Sequence, residues 1–213
     1  MTVRINEKPI VFDANEVNAV LAGNKTQHRV PFDFEFNINT VSLNETANDI
    51  GWSVQKLITK AYHQAVYDFE CPFGAIGDRL WVQEALKHRQ PSNVDCCMQW
   101  AYASDNEWAL NSGVPVNAHK QKLSAKSMPR WASRSLLEIT DIRIERVQDI
   151  SEADAMAMGL KPDYCDHKYQ TCEDIGCIGK WAGALWLHLR HDKKYPVHHT
   201  AWVWVIEFKK AEG

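Results

Sequence analysis

Ser135-Leu136-Leu137-Glu138-Ile139-Thr140-Asp141-Ile142-Arg143-Ile144-Glu145-Arg146-Val147 is the stretch on which the fold turns. Leu137 and Ile139 alternate with Glu138 and Thr140, and Ile142 and Ile144 then alternate with Arg143 and Glu145. A period of two is that of a strand with one face buried. The apolar parity switches at Thr140-Asp141. A one-residue slip would turn every later side chain to the other face, so a bulge or tight bend is expected there. Working outward, Ala201 to Phe208 is apolar on both faces, with Trp202, Trp204, Ile206 and Phe208 against Val203 and Val205. That pattern predicts a central strand closing the sheet. Arg79 to Ala85 follows the turn residues Cys71-Pro72-Phe73-Gly74 and Gly77-Asp78 and reads as another strand, as do Lys8 to Phe12 and Cys97 to Ala103.

Helices fall between these strands. Asp13 is an N-cap with Glu16 as its capping-box partner; Val17, Val20 and Leu21 form the buried face, and Gly23 ends the helix. Ile50 to Tyr67 is amphipathic through Val54, Leu57, Ile58, Ala61, Ala65 and Val66. Ser151 and Asp154 open a helix ending at Gly159, and Ile178 to Arg190 is helical with Trp181, Leu185 and Leu189 on one stripe. Phe32 to Thr46 and Asp105 to Ala125 read as loop. Nothing repeats and no linker divides the chain, so the expectation is one α+β domain over residues 1–213.

The 213 residues, 45% hydrophobic and 24% charged, can bury a real core. A net charge of −3 carries no global basic footprint and argues against a protein that coats duplex DNA, while leaving room for a local basic cleft. Nine Trp outnumber seven Phe and six Tyr. Most should pack the core, and one or two are candidates for stacking on a flat ligand. Met1 to Glu7 has no apolar signal core, and the longest apolar run, Ala201 to Ile206, is far too short for a bilayer. With six Cys read as reduced thiols, the expected compartment is the cytoplasm, with no membrane partner.

Three constellations carry chemistry. Gly23-Asn24-Lys25-Thr26-Gln27-His28-Arg29 gathers donors just past a helix end, able to bind phosphate or polarise a carbonyl if drawn into a cleft, or simply a solvated turn. The Lys25 ammonium is expected to face the cleft within reach of Glu84 or the Trp81 strand, in a turn too polar to desolvate it fully. Met128-Pro129-Arg130-Trp131-Ala132-Ser133-Arg134 sets an indole between guanidiniums, suited to stacking on a base beside phosphate, or equally to a lid with structural ion pairs. Cys165, His167, Cys172 and Cys177 lack the short Cys-x2-Cys knuckle of zinc sites, so no metal and no other cofactor is expected.

Gly23-Asn24-Lys25-Thr26, Gly77-Asp78-Arg79-Leu80-Trp81-Val82 and Val205-Ile206-Glu207-Phe208 together resemble the ASCH domain of the PUA-like superfamily. The likeness is closer to its phage and prophage members, through Cys71 to Glu84, Met128 to Arg134, Leu137-Glu138-Ile139-Thr140 and Gln148 to Ala155. The resemblance implies a PUA-like small twisted β-barrel with surrounding helices and a cleft for RNA or a modified base. It also implies a possible enzyme, an amide hydrolase acting on N4-acetylcytidine through a Lys and a Thr in a Gly-x-Lys-Thr-x-Thr turn and a Glu in a later helix. Lys25 matches the Lys; His28 and Met158 stand where the second Thr and the Glu would be.

Three functions follow as expectations. The first is a module binding RNA or a modified nucleoside through Lys25, Thr26, Arg29, Arg79, Trp81, Arg130, Trp131 and Arg134. The second is an amidohydrolase using Lys25, His28 and Glu84, unless Glu84 instead pairs with Arg79 or Arg130 to hold the fold. The third is a phage or prophage factor that meets a host protein.

Overall fold

The alternation around Thr140 becomes one continuous strand, Leu136–Arg146, in a computed structural model that describes residues 5–31, 54–63, 71–89, 99–107, 109, 122–160, 185, 189 and 201–211. In chain order the strands are β1 (Glu7–Val11), β2 (Gln27–Pro31), β3 (Arg79–Gln83), β4 (Leu86–Arg89), β5 (Gln99–Tyr102), β6 (Lys122–Leu123), β7 (Leu136–Arg146) and β8 (Trp202–Lys210). The helices are α1 (Ala14–Leu21), α2 (Val54–His63) and α3 (Glu152–Ala157). Hydrogen bonding orders five strands β1-β3-β7-β8-β2 and three more β5-β4-β6. β1 runs parallel to β3, with Glu7 opposite Arg79; β3 pairs antiparallel with β7, and β2 antiparallel with β8. The fold is mixed α and β, and no closed barrel is formed among the described residues.

The chain divides into two compact units, each assembled from separate stretches. The first comprises Met1–Thr26, Pro72–Thr140 and Phe208–Gly213, and the second Gln27–Cys71 and Asp141–Glu207. The division in β7 coincides with the parity switch. Leu137 and Ile139 are buried before it, Ile142 and Ile144 after it, and Thr140 is exposed between them. In the first unit the core gathers Ile10, Phe12, Val17, Leu80, Val82 and Leu137. A second cluster joins Leu86 of β4, Trp100 and Tyr102 of β5, and Ala109, Met128 and Ala132. In the second unit Val147, Ala155, Met158, Leu185, Leu189, Val203 and Val205 pack together.

Local signals do what their chemistry requires. Asp13 accepts from the Glu16 N–H at 2.8 Å while Glu16 accepts from the Asp13 N–H at 3.1 Å, a complete capping box on α1. Ser151 accepts from the Asp154 N–H at the start of α3. β8 is buried on both faces and lies inside the five-strand order, as its composition predicts. Leu185 and Leu189 are helical and buried. No helix among the described residues is long and apolar enough to cross a membrane.

Some expectations are corrected. The run Asn24 to Arg29 is not one turn, since from Gln27 onward it is β2. Leu21, placed on the buried face of α1, is exposed. Glu145, placed on the solvent face of β7, is buried because two arginines reach it. Ala85 lies beyond β3, which ends at Gln83. The loop Phe32 to Thr46, the cysteine-rich stretch and most of Ile178 to Arg190 lie outside the described residues.

Ile142→Ala should destabilise the protein by about 2–5 kcal/mol, because it empties a fully buried site. Thr140→Ala, two residues away on the exposed side of the switch, should stay within ~0.5 kcal/mol. Urea unfolding of both variants checks this; equal losses would contradict the parity switch.

Candidate functional site

Lys25 is reached through the end of α1. Gly23 takes a left-handed φ of 75° that a side chain would resist, and the N–H groups of Asn24 and Lys25 both turn back to the Ala19 carbonyl. The Lys25 side chain is thereby carried inward until none of it is exposed. Its Nζ lies 3.3 Å from Glu16 Oε1 and 5.2 Å from the centre of the Phe12 ring. Glu16 therefore serves both the helix cap and a buried cation. Burial pushes the Lys25 pKa down, and the charge of Glu16 resists that shift. The expectation that this turn is too polar to desolvate Lys25 fully is wrong: Asn24 and Thr26 are exposed while the lysine between them turns in.

Glu84 follows β3 and is buried. Its carboxylate accepts from Arg134 Nε at 2.8 Å and Nη2 at 3.0 Å, and from the Ser104 hydroxyl at 2.6 Å. Arg134 also donates to Asp105 at 2.6 Å and lies 3.9 Å from the centre of the Tyr102 ring. Burial works against the Arg134 charge, but its bonds to Glu84 and Asp105 outweigh that and raise its pKa. The expected partners of Glu84, Arg79 and Arg130, are replaced by one fifty residues along the chain. This fork-on-fork contact fixes both side chains in place.

A third group is open to solvent. Trp131 sits in a short 3-10 turn, Arg130–Ala132, whose Ala132 is buried, and is itself 41% exposed as a residue. The Arg130 guanidinium lies 5.9 Å from the centre of the Trp81 ring on β3 and donates from Nε to Glu7 at 2.8 Å. The turn is anchored from below: Gln83 donates to the Met128 carbonyl at 3.1 Å, and Ser133 to the Val82 carbonyl at 2.8 Å. The two readings of this segment are thus mixed, with an outward indole and arginines in ion pairs.

The remaining candidates are spent differently. Thr26 is exposed, and its carbonyl accepts from the Phe208 N–H. Arg29, in the second unit, is wholly buried, 2.6 Å from Glu145 and 3.4 Å from Asp154, with Nε donating to Gln27 at 3.0 Å. Arg143 bonds Glu145, Asp154 and Glu207 in the same cluster. His28 lies part-buried on β2 opposite Ile206, and Met158 is core packing. Of the proposed catalytic set, then, Lys25 is held by Glu16, Glu84 by Arg134, and His28 belongs to the other unit.

Sequence reading missed Glu7, Tyr102, Ser104 and Asp105 as partners and saw Glu16 only as a cap. None carries a local signal, because each meets its partner through strand register or a distant turn. Among the described residues no group of three His, Cys, Asp or Glu side chains is placed to hold a metal ion. Cys165, His167, Cys172 and Cys177 lie outside them. Compared with known proteins, the chain matches no family model, no curated protein and no solved structure.

The buried lysine sets a pH signature. Its folded pKa is depressed, so between that value and the ordinary lysine value of about 10.4 the unfolded chain holds the extra proton. The penalty is complete below the folded pKa and fades as pH rises through this window. Wild type should therefore gain stability relative to Lys25→Met as pH rises from the depressed folded pKa toward about 10.4, and no further above it. Thermal melts of the two proteins read the difference; parallel curves would show that Lys25 titrates as a solvated lysine.

Proposed function

We propose that the chain is a cytoplasmic PUA-like module that binds RNA or a modified nucleoside, with the base stacked on Trp131. The observation that carries this is Trp131, large, apolar and 41% exposed as a residue, in a turn flanked on both sides by hydrogen bonds with β3. Exposed aromatics of this kind beside guanidiniums are how single-stranded bases are gripped without a broad basic surface. The net charge of −3 suits a pocket-sized contact rather than long-range attraction to nucleic acid. The ASCH-like motifs supply the same reading, and two of the strands that carry them, β3 and β7, are paired neighbours. Lys25, Arg29 and Arg134 are withdrawn from the binding set by their carboxylate partners, leaving Thr26, Arg79, Trp81, Arg130 and Trp131.

Trp131→Ala should weaken binding of a short single-stranded RNA or of N4-acetylcytidine by ~1–3 kcal/mol, roughly five- to 150-fold, while leaving the melting temperature unchanged. Titration by calorimetry measures it. Unaltered affinity, or no binding by the wild type, would overturn the reading.

One observation favours the hydrolase as a second reading: Lys25 is desolvated, as a reactive lysine must be. Its ammonium is nevertheless paired with Glu16 and has no exposed surface. Slow or no turnover of N4-acetylcytidine is expected. Brisk release of acetate, abolished by Lys25→Met, would make the protein an enzyme.

A further inference from the structure

Among the described arginine–carboxylate pairs of the first unit, Arg130–Glu7 is the most open to water. The Arg130 and Glu7 side chains are 44% and 38% exposed, whereas the lysine or arginine in the Lys25–Glu16 and Arg134–Glu84 pairs is buried or largely so. Glu7 lies on β1, at the end of the five-strand order, directly opposite Arg79 on β3. The Glu7 carboxyl is held below its usual range, first by the hydrogen bond from Arg130 and in smaller part by the charge of Arg79. Arg79 is partly buried, and its Nε makes no hydrogen bond among the described residues. Two guanidiniums thus act on one carboxylate, with the Trp81 ring orienting one of them.

We propose that Glu7 occupies the site of a ligand phosphate, and that a phosphate group displaces it to bind Arg130 and Arg79. The chemistry favours exchange. Carboxylate and phosphate make the same charge-assisted bonds to guanidinium, and a phosphate brings three acceptor oxygens and at least as much charge. With Glu7 in place the three side chains carry a formal net charge of +1, counted as two arginines less one glutamate, so an anion is still attracted. An exposed ion pair is weak and screened by salt, so it opens readily. Glu7 would act as a selectivity element: neutral nucleosides do not contest it, nucleotides do. This deepens the base-binding reading and rests on it only for the neighbouring base.

Wild type, Glu7→Gln, the double variant Glu7→Gln/Arg130→Gln and Trp131→Ala are titrated with cytidine monophosphate, cytidine and inorganic phosphate. Glu7→Gln should tighten cytidine monophosphate and inorganic phosphate roughly two- to fivefold, the scale of an exposed pair, and leave cytidine unchanged. The second substitution should cancel the gain. If Glu7→Gln leaves phosphate affinity unchanged or lowers it, Glu7 merely orients Arg130 and the inference fails. It fails equally if neither wild type nor Glu7→Gln binds phosphate or the nucleotide. If phosphate behaves as expected but cytidine does not bind and Trp131→Ala changes nothing, the phosphate site stands and the base reading falls.

Discussion

A guanidinium with no exposed surface stands at Arg29, and an uncompensated ion there would cost several kcal/mol even after relaxation. Compensation comes from three elements. Gln27 accepts from the same strand, Glu145 comes from β7, and Asp154 from α3. Asp154 is bonded in turn by Gln27, Arg143 and its own cap Ser151, and Arg143 ties in Glu207 from β8. The carboxyl of Asp154 is held low because these bonds outweigh its burial. The second unit is therefore registered by charge as well as by its apolar core. Every carboxylate in the cluster already has an arginine, so the cluster reads as architecture.

The same constraint governs the first unit and narrows its function. Lys25 is paired with Glu16, and Arg134 with Glu84 and Asp105; drawing either cation onto a ligand phosphate would break a pair that the fold has already buried or largely buried. Trp131 and the Arg130–Glu7 pair, by contrast, stay in contact with water. The proposed role follows the same energetic distinction: groups whose charges are buried hold the structure, and groups whose charges stay wet can exchange partners.

Much of this was legible in the sequence where burial is apolar. The shift from Leu137 and Ile139 to Ile142 and Ile144, the doubly apolar Trp202 to Phe208, and the Asp13–Glu16 box each follow from local spacing. β2 was not legible, because its buried positions are Gln27 and Arg29 and the alternation is written in polar letters. Lys25 and Glu145 were placed in water for the same reason: a charge is read as solvated until its partner is known. Those partners arrive through register and long-range turns, as with Glu84 and Arg134. At Trp131 the sequence left a stacking surface and a lid with structural ion pairs both open, and the division into an exposed Trp131 and paired arginines depended on what lies beneath the turn.

The account's central claim is that a base meets Trp131. Ultraviolet cross-linking of the protein to a short RNA containing 4-thiouridine, followed by mass spectrometry of the peptides, tests this directly. The account predicts cross-links within Met128 to Arg134, with Trp131 the principal adduct. Cross-links confined to the segment around Lys25 and β2, or none, would contradict it.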